Sequence, residues 1–197
     1  MKHAAPPMHI FPRIVSALAF ALLMGAAHAD EYADVNLLLR QGKQAEALLK
    51  AETYIVGKPR DPQMRFLRGV ILSEQGKLPE ATVAFTQLTQ DFPELPEPYN
   101  NLAALYASQS QFDKARTALE MAVKLNPSYG TAHENLGDVY ARLAAQSYTR
   151  AQQLEPGNAG IAPKLTLIRQ IFTPASERAA GTLPQAAPAA TKPGIRK

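Results

Sequence analysis

The sequence contains no cysteine, no tryptophan and only four histidines among its 197 residues. Without cysteine, the chain forms no disulfide framework, no thiolate metal site and no lipid-modified N-terminal cysteine. His3, His9 and His28 lie close to the N-terminus, which leaves His133 as the one imidazole in the rest of the chain. A histidine-based metal site needs several such ligands, so we predict no metal and no cofactor.

Charged side chains are also missing from the apolar stretch Ile14–Met24. Lys2 and Arg13 precede this stretch and the small-residue triplet Ala27-His28-Ala29 follows it, a pattern typical of a secretory signal peptide. The stretch has about 11 residues, whereas a helix needs roughly 20 to cross the hydrocarbon core of a bilayer. We predict a signal peptide over residues 1–29, cleaved after Ala29, and a periplasmic or secreted mature chain without an integral membrane segment. An uncleaved anchor is the less favoured alternative.

The chain lacks a concentrated patch of positive charge as well. Its 21 Lys and Arg residues outnumber its 17 Asp and Glu residues, but the excess lies at the two ends. Lys2 and Arg13 belong to the predicted signal peptide, and beyond residue 172 Glu177 stands against the basic residues Arg178, Lys192, Arg196 and Lys197. The body is close to neutral. Nonspecific nucleic-acid binding needs clustered Lys and Arg to displace counterions, so we predict no nucleic-acid partner.

Catalytic constellations are not visible in the sequence. It shows no nucleophile beside a base, no metal-ligand cluster and no complete phosphate-binding loop, since Gly57-Lys58 and Gly76-Lys77 lack the rest of that motif. We interpret His133 as a structural histidine, because a catalytic base would need an orienting partner. We predict that the chain is not an enzyme.

The chain does contain a 34-residue period, which is the length of a helix–turn–helix repeat unit. Three kinds of landmark recur at this spacing: Pro59, Pro93 and Pro127; Ala47, Ala81 and Ala115; Gly42, Gly76 and Ser110. Agreement among three independent classes of position indicates a repeat architecture. A hairpin with a one-sided apolar stripe cannot bury that stripe alone, and stacking on neighbouring hairpins completes the core.

Residues 96–129 show the unit most clearly. The first helix places Tyr99, Leu102, Ala103 and Tyr106 on one face, and the second does the same with Ala115, Leu119, Ala122 and Val123. The polar Gln109-Ser110-Gln111 suits the turn between them, and Asn126-Pro127 ends the pair because proline disfavours the helical conformation in its predecessor.

This pattern resembles the tetratricopeptide-repeat (TPR) family over roughly residues 28–156. Besides the third unit, the resemblance rests on Gly69, Leu72, Gly76, Ala81, Phe85 and Pro93 in the second unit and Leu136, Gly137 and Tyr140 in the fourth. It implies an all-α TPR helix–turn–helix solenoid in a domain of residues 30–156, with repeats at about 28–61, 62–95 and 96–129 and a degenerate repeat at 130–156. The tyrosines at its packing positions, Tyr99, Tyr106 and Tyr140, are expected in the core. Arg65, Arg68 and His133 depart from the family pattern.

The fourth repeat is five residues short. Its closing proline is expected at position 161 but stands at Pro156, and no glycine or proline lies between Gly137 and Pro156. We predict one continuous, fused helix from about Thr131 to Leu154, with the chain turning back at Gly157-Asn158. A C-terminal capping helix is expected within residues 157–172, with Asn158 as its N-cap and an apolar face of Ile161, Leu165, Ile168 and Phe172. Residues 173–197, rich in alanine and proline, are predicted to be disordered.

The resemblance implies a protein-interaction scaffold, so we expect the chain to bind an unknown protein or peptide partner in the cell envelope. The runner-up is a structural accessory to cell-wall or polysaccharide enzymes that contacts the polymer directly, and the oligomeric state stays open. In the family, groove-facing residues come from defined positions of each first helix. Here these positions are Tyr32, Asn36, Gln63, Phe66, Val70, Ser73, Glu97, Asn100, Ala104, Ala107, Thr131, Glu134, Asp138 and Ala141. The groove should accept an apolar or basic segment.

One specialisation of the family grips the carboxylate end of heat-shock chaperone tails with lysine, asparagine and arginine. The matching positions in this chain hold Tyr32, Asn36, Leu67, Glu97 and Asn101, of which only Asn36 fits. We therefore predict that chaperone tails do not bind. The charged row Glu134, Asp138 and Arg142 is interpreted as a solvated helix face with an Asp–Arg pair.

Overall fold

The structure, a computed structural model, describes residues 31–172. The predicted signal peptide and the predicted disordered tail lie outside these residues. The described part contains helices and no strand, in the order α1 (31–40), α2 (Gln44–Gly57), α3 (Pro62–Glu74), α4 (Leu78–Asp91), α5 (Pro96–Ser108), α6 (Phe112–Leu125), α7 (Gly130–Leu154) and α8 (Ile161–Ile171). The all-α fold expected from the sequence is confirmed. None of these helices combines the length and the apolar character needed to cross a lipid bilayer.

The described residues divide into two compact units, 31–136 and 137–172, with the division inside α7. In the described part of the first unit, α2 packs on α3, α3 on α4, α4 on α5 and α5 on α6. Helix α3 also contacts α5, so the first helices of the second and third repeats lie side by side. This neighbour-to-neighbour packing is typical of repeat proteins, in which each hairpin completes the core of the next.

The turn inside each hairpin uses a left-handed residue at the same place in the repeat. Gly42 and Gly76 both have φ of 72°, and Ser110 has φ of 59°. In each turn the next residue donates its N–H to a carbonyl five residues earlier, at 2.9 Å for Lys43 to Leu38, Lys77 to Leu72 and Gln111 to Tyr106. This is the hydrogen-bond pattern that ends helices at a left-handed residue.

Two connected apolar clusters form the core of the first unit. Phe85, Leu88 and Ala81 of α4 are fully buried, and Leu72, Ala84, Leu102 and Leu105 join them. The other cluster joins the first hairpin to α3 through Val35, Ala47, Ala51, Met64 and Ile71, all fully buried.

The third-repeat residues Ala103, Ala115, Leu119 and Ala122 are buried as the periodicity predicts. Arg65 and Arg68, which depart from the family pattern, are half-buried and form ion pairs with Asp91 at 2.6 Å and Glu52 at 3.2 Å.

Helix α7 runs without interruption over 25 residues, which confirms the predicted fused helix. The prediction that Tyr140 lies in the core is wrong, since this side chain is 48% exposed. The continuity of α7 explains the error. In the third repeat the equivalent Tyr106 packs against the core, and Lys114 of the returning helix lies 5.4 Å from its ring centroid. Helix α7 instead continues past the point at which that hairpin turns back.

In the second unit, α8 returns along the C-terminal part of α7. The Arg142 guanidinium lies 3.7 Å from the Phe172 ring centroid, and the Lys164 ammonium lies 5.2 Å from that of Tyr148. Ile161 and Leu165 are buried, as predicted for one face of α8. Arg142 therefore covers an aromatic ring instead of forming the predicted pair with Asp138. Whether α8 caps the repeat array stays a prediction.

The predicted N-cap of α8 is wrong by two residues. Gly160 occupies that position, with no side-chain hydrogen bond to the helix. Asn158 instead forms a local turn, in which its Oδ1 accepts a hydrogen bond from the Gly160 N–H at 3.1 Å. Asparagine side chains favour both helix N-caps and local turns, and here the Asn158 side chain stabilises the turn before the helix.

Candidate partner-binding surface

A small apolar pocket lies where the N-terminal turns of α3 and α5 meet. Its volume is about 250 Å³, and it is lined by Pro62, Gln63, Phe66, Leu95, Glu97 and Pro98. Three of these residues, Gln63, Phe66 and Glu97, belong to the predicted groove. The structure thus brings together groove positions that are more than 30 residues apart in sequence, because α3 and α5 are the first helices of successive repeats.

The walls of the pocket are held by the core beneath it. Phe66 is half-buried and packs edge-on against the fully buried Phe85, with ring centroids 5.6 Å apart. Pro98 is fully buried in the first turn of α5, and Leu95 occupies the N-cap position with an extended backbone. Proline suits the first turn of a helix because the missing N–H has no intrahelical partner there. These constraints give the pocket a fixed apolar wall.

The Asp61 carboxylate fixes the start of α3 beside the pocket. Its Oδ1 accepts the Met64 N–H at 2.8 Å, which caps the helix, and Tyr32 donates its hydroxyl to Oδ2. The Tyr54 hydroxyl lies 3.3 Å from Oδ2 and 3.2 Å from the Tyr32 hydroxyl. This network joins α1, α2 and α3.

The Tyr32 hydroxyl and the Asp61 carboxyl of this network both have shifted pKa values. Burial and then the hydrogen bond to Asp61 raise the pKa of the Tyr32 hydroxyl. For Asp61, burial acts to raise the pKa, but the hydrogen bonds from Met64, Tyr32 and Tyr54 outweigh it, so the net pKa is lowered. Tyr32 therefore donates a hydrogen bond to a carboxylate that stays ionised, and this bond holds its hydroxyl at the start of α3.

Glu97 supplies the exposed negative charge of the pocket. Burial raises the pKa of the nearby Tyr129 hydroxyl, and the charge of Glu97 raises it further. Among the described residues, no lysine or arginine lines this pocket. The guanidinium of Arg65 is directed to Asp91 and lies 5.7 Å from the Phe92 ring centroid. The pocket is therefore apolar inside and acidic at its rim.

The remaining predicted groove positions differ in accessibility. Asn36 is half-buried and donates its Nδ2 to the carbonyl of Tyr32 at 2.8 Å. Asn100 is only 8% exposed and accepts a hydrogen bond from Asn135 Nδ2 at 2.8 Å, so it links α5 to the start of α7. Val70, Ser73 and Ala107 are half-buried, whereas Ala104 is exposed; none of them lines the pocket.

The fourth repeat divides its predicted groove residues between the two units. Thr131 and Glu134 are exposed in the first unit, and Asp138 and Ala141 belong to the second. Within the first unit, Glu134 adds a second exposed carboxylate on a first helix.

Sequence reasoning missed Pro62, Leu95 and Pro98. The family positions used for the groove begin at the second residue of each first helix, so the helix start and the turn before it were not considered. A signal was present, because Pro62, Pro96 and Pro98 cluster at the helix starts that the 34-residue period predicts.

Residues 31–172 do not bring together the side chains of a metal site. They contain no group of three or more histidine, aspartate or glutamate side chains placed to hold a metal ion. His133 is exposed, and its Nε2 lies 3.0 Å from the carbonyl oxygen of Pro127, just before the helix that carries it.

Antiparallel helix pairs with a 34-residue period define the class of the protein as a helical-hairpin repeat protein. Residues 32–96 match the family model described as "Tetratricopeptide repeat", and residues 105–143 match that described as "TPR repeat". The chain belongs to the tetratricopeptide-repeat family.

Similar proteins share the fold over part of the chain. A chloroplastic protein of Arabidopsis thaliana, the tetratricopeptide repeat domain-containing protein PYG7, is 32% identical over 108 residues, which are 50% of this chain and 36% of that protein. The chain therefore matches about a third of that relative's length.

Two solved structures resemble the described fold. The first TPR of Spaghetti (RPAP3) bound to the HSP90 peptide SRMEEVD has a TM-score of 0.55 and 18% identity, covering 59% of this chain and 92% of its own. The Yersinia enterocolitica type III secretion chaperone SycD in complex with a peptide of the translocator YopD has a TM-score of 0.54 and 15% identity. The match covers 64% of this chain and 95% of SycD. At these identities the likeness shows the fold alone.

Proposed function

We propose that this TPR protein is an interaction scaffold that acts by binding and not by catalysis. It holds an extended segment of a partner protein against the first helices of its second and third repeats. The observation that carries this proposal is the pocket between α3 and α5, which presents a preformed apolar wall beside exposed polar groups. RPAP3 and SycD, which share the fold, are each seen with a bound peptide.

The size of the pocket supports a side chain as its occupant. Its volume of about 250 Å³ is below the roughly 300–1,000 Å³ of typical small-molecule sites. A partner that covers the half-buried Phe66 gains on the order of 1.5–3 kcal/mol if the ring becomes fully desolvated. Apolar anchoring therefore dominates the affinity, and the exposed carboxylates influence orientation and association rate.

We place this function in the cell envelope, in a periplasmic or secreted location. The charge, length and small-residue pattern of residues 1–29 support export. The partner is accordingly a protein of the same compartment.

Site-specific photocrosslinking in the producing organism tests the proposal. A photoreactive residue is placed at Gln63, on the pocket, and at Gln87 of α4 as the control, since both side chains are exposed and only Gln63 lines the pocket. We expect a discrete protein adduct in the envelope fraction from Gln63 and none from Gln87. Equal adducts from both positions, or none from either, would contradict binding at this surface. Cosedimentation of the purified chain with cell-wall sacculi, without a protein adduct, would favour the polymer-binding alternative.

A further inference from the structure

The pocket between α3 and α5 combines two recognition elements that point to one kind of peptide. We infer, on the basis of the proposed function, that it selects a partner segment in which a large apolar residue is adjacent to lysine or arginine. The apolar side chain enters the pocket, and the basic side chain pairs with Glu97 at the rim.

The shape of the pocket specifies the apolar residue. Four of its six described lining residues are apolar: Pro62, Phe66, Leu95 and Pro98. The packing of Phe66 on Phe85 and the full burial of Pro98 prevent these walls from collapsing into the space between the helices. A preformed apolar cavity of this kind favours a leucine, methionine or aromatic side chain, because burial of such a group removes its surface from water without rearranging the protein.

The charges around the pocket specify the neighbouring residue. Glu97 lines the pocket and Glu94 precedes the lining residue Leu95, and both are exposed. Among the described residues, neither carboxylate forms an ion pair. An incoming lysine or arginine therefore gains a partner at this rim, whereas an acidic residue meets like charge.

The partial charges at the helix ends do not reverse the preference for a basic residue. The N-termini of α3 and α5 carry partial positive charge. The Asp61 carboxylate caps α3, and Glu97 itself lies in the first turn of α5. Arg65 is occupied by Asp91, and Arg60, which precedes the Asp61 cap, does not line the pocket. The rim therefore keeps a net negative charge.

Selection of peptides from a phage-displayed random dodecapeptide library on the immobilised full chain tests the inference. We expect the selected peptides to share an apolar residue next to lysine or arginine. Each peptide is then labelled with fluorescein, and its Kd is measured by fluorescence polarisation against the wild type and four variants.

Gln63→Trp blocks the mouth of the pocket without disturbing the core, because Gln63 is exposed. It should weaken binding by about tenfold or more, in the range of a lost interface anchor. Gln87→Trp, the matched control on α4, should leave Kd unchanged. Glu97→Lys should weaken binding by about threefold or more, as expected for a surface ion pair, whereas Glu80→Lys should not. Replacing the basic residue of the peptide with alanine should abolish the difference between the wild type and Glu97→Lys.

The outcomes separate this inference from the proposed function. Selected peptides that lack the apolar–basic pair, or whose Kd is insensitive to Gln63→Trp, overturn the pocket assignment; a Gln63-specific crosslink would then still support the scaffold. A selection that enriches no peptide, together with the absence of that crosslink, overturns both.

Discussion

Gly69 of α3 lies against the ring of Phe85 in α4 so closely that an added Cβ atom would be 2.8 Å from both Cε1 and Cζ. Phe85 is fully buried, so its ring has little freedom to move away. The equivalent positions in the next two repeats are Ala103 and Gly137, which stand 34 and 68 residues later. The second repeat therefore depends on glycine for the close approach of its two helices.

We predict that Gly69→Ala lowers the free energy of unfolding by about 1 kcal/mol. Overpacking a core costs about 1–3 kcal/mol, and the middle of this range exceeds by about 1 kcal/mol the roughly 1 kcal/mol that alanine gains over glycine in a helix interior. Urea unfolding followed by circular dichroism measures this difference.

Gly137→Ala is the matched control and should have the opposite effect. An added Cβ atom meets nothing within 4 Å at this position, which lies inside α7. Alanine should therefore raise the free energy of unfolding by about 0.5–1 kcal/mol through its helix preference. If both substitutions change stability in the same direction, the contact with Phe85 does not determine the glycine at position 69.

We predict that Ser110→Gly stabilises the protein by about 0.5–1 kcal/mol, because a side chain in the left-handed conformation is strained and glycine is not. Ser110 has φ of 59°, whereas Gly42 and Gly76 occupy the same place in the other repeats. Gly76→Ala should destabilise, although an added Cβ atom there has open space around it. Thermal unfolding of the two variants checks both signs, and an unchanged Tm in each would contradict backbone strain at these turns.

The Asp61 network should make stability depend on pH in the acidic range. The pKa of Asp61 is lowered in the folded state, so as the pH falls toward its ordinary pKa of about 4 the unfolded chain binds more protons than the folded one, until the folded carboxyl is protonated as well. The stabilising contribution is therefore complete above the unfolded pKa and is lost as the pH falls through the folded pKa.

Asp61→Asn isolates this effect, because asparagine keeps the N-cap acceptor but does not titrate. We expect the wild type to lose more unfolding free energy than Asp61→Asn between pH 7 and pH 3, as measured by urea unfolding at each pH. Parallel losses in the two proteins would show that Asp61 contributes no pH dependence.

We predict that the HSP90 peptide SRMEEVD does not bind with micromolar affinity. The RPAP3 domain with that peptide shares the fold but only 18% identity. Here Glu97 stands at a position where the family's clamp requires a donor to a carboxylate, and its charge repels an acidic peptide. Isothermal titration calorimetry, with the RPAP3 domain as the positive control, checks this; a micromolar Kd would overturn it.

Much of the fold was predictable because its determinants are local and periodic. The first helices of the later repeats begin at Pro62, Pro96 and Gly130, each 34 residues after the previous one. The shortened fourth repeat predicted the continuous α7 correctly, since no helix-breaking residue lies between Gly137 and Pro156. The exposure of Tyr140 was not predicted, because the position of a residue in the family repeat places its side chain on a helix face but does not establish which helix covers that face.

The site was only partly predictable. Phe66, Gln63 and Glu97 were selected from their positions on the first helices, and the structure brings them to one pocket. Asn100 was selected by the same rule but is 8% exposed and bonded to Asn135. The position of a residue in the repeat specifies the direction of its side chain around its own helix axis. The accessibility of that side chain also depends on the neighbouring helix.

The all-α class, the 34-residue repeat and the places at which the chain turns follow from the amino-acid sequence alone, because glycine, proline and the spacing of apolar residues act within one or two helical turns. The packing of the helices in three dimensions is what brings Pro62, Leu95 and Pro98 to Phe66 to form a pocket, and the Tyr32 hydroxyl to Asp61. These contacts join residues on different helices, and they depend on interhelical distances that are set by the packing of whole side chains such as Phe85 against Gly69.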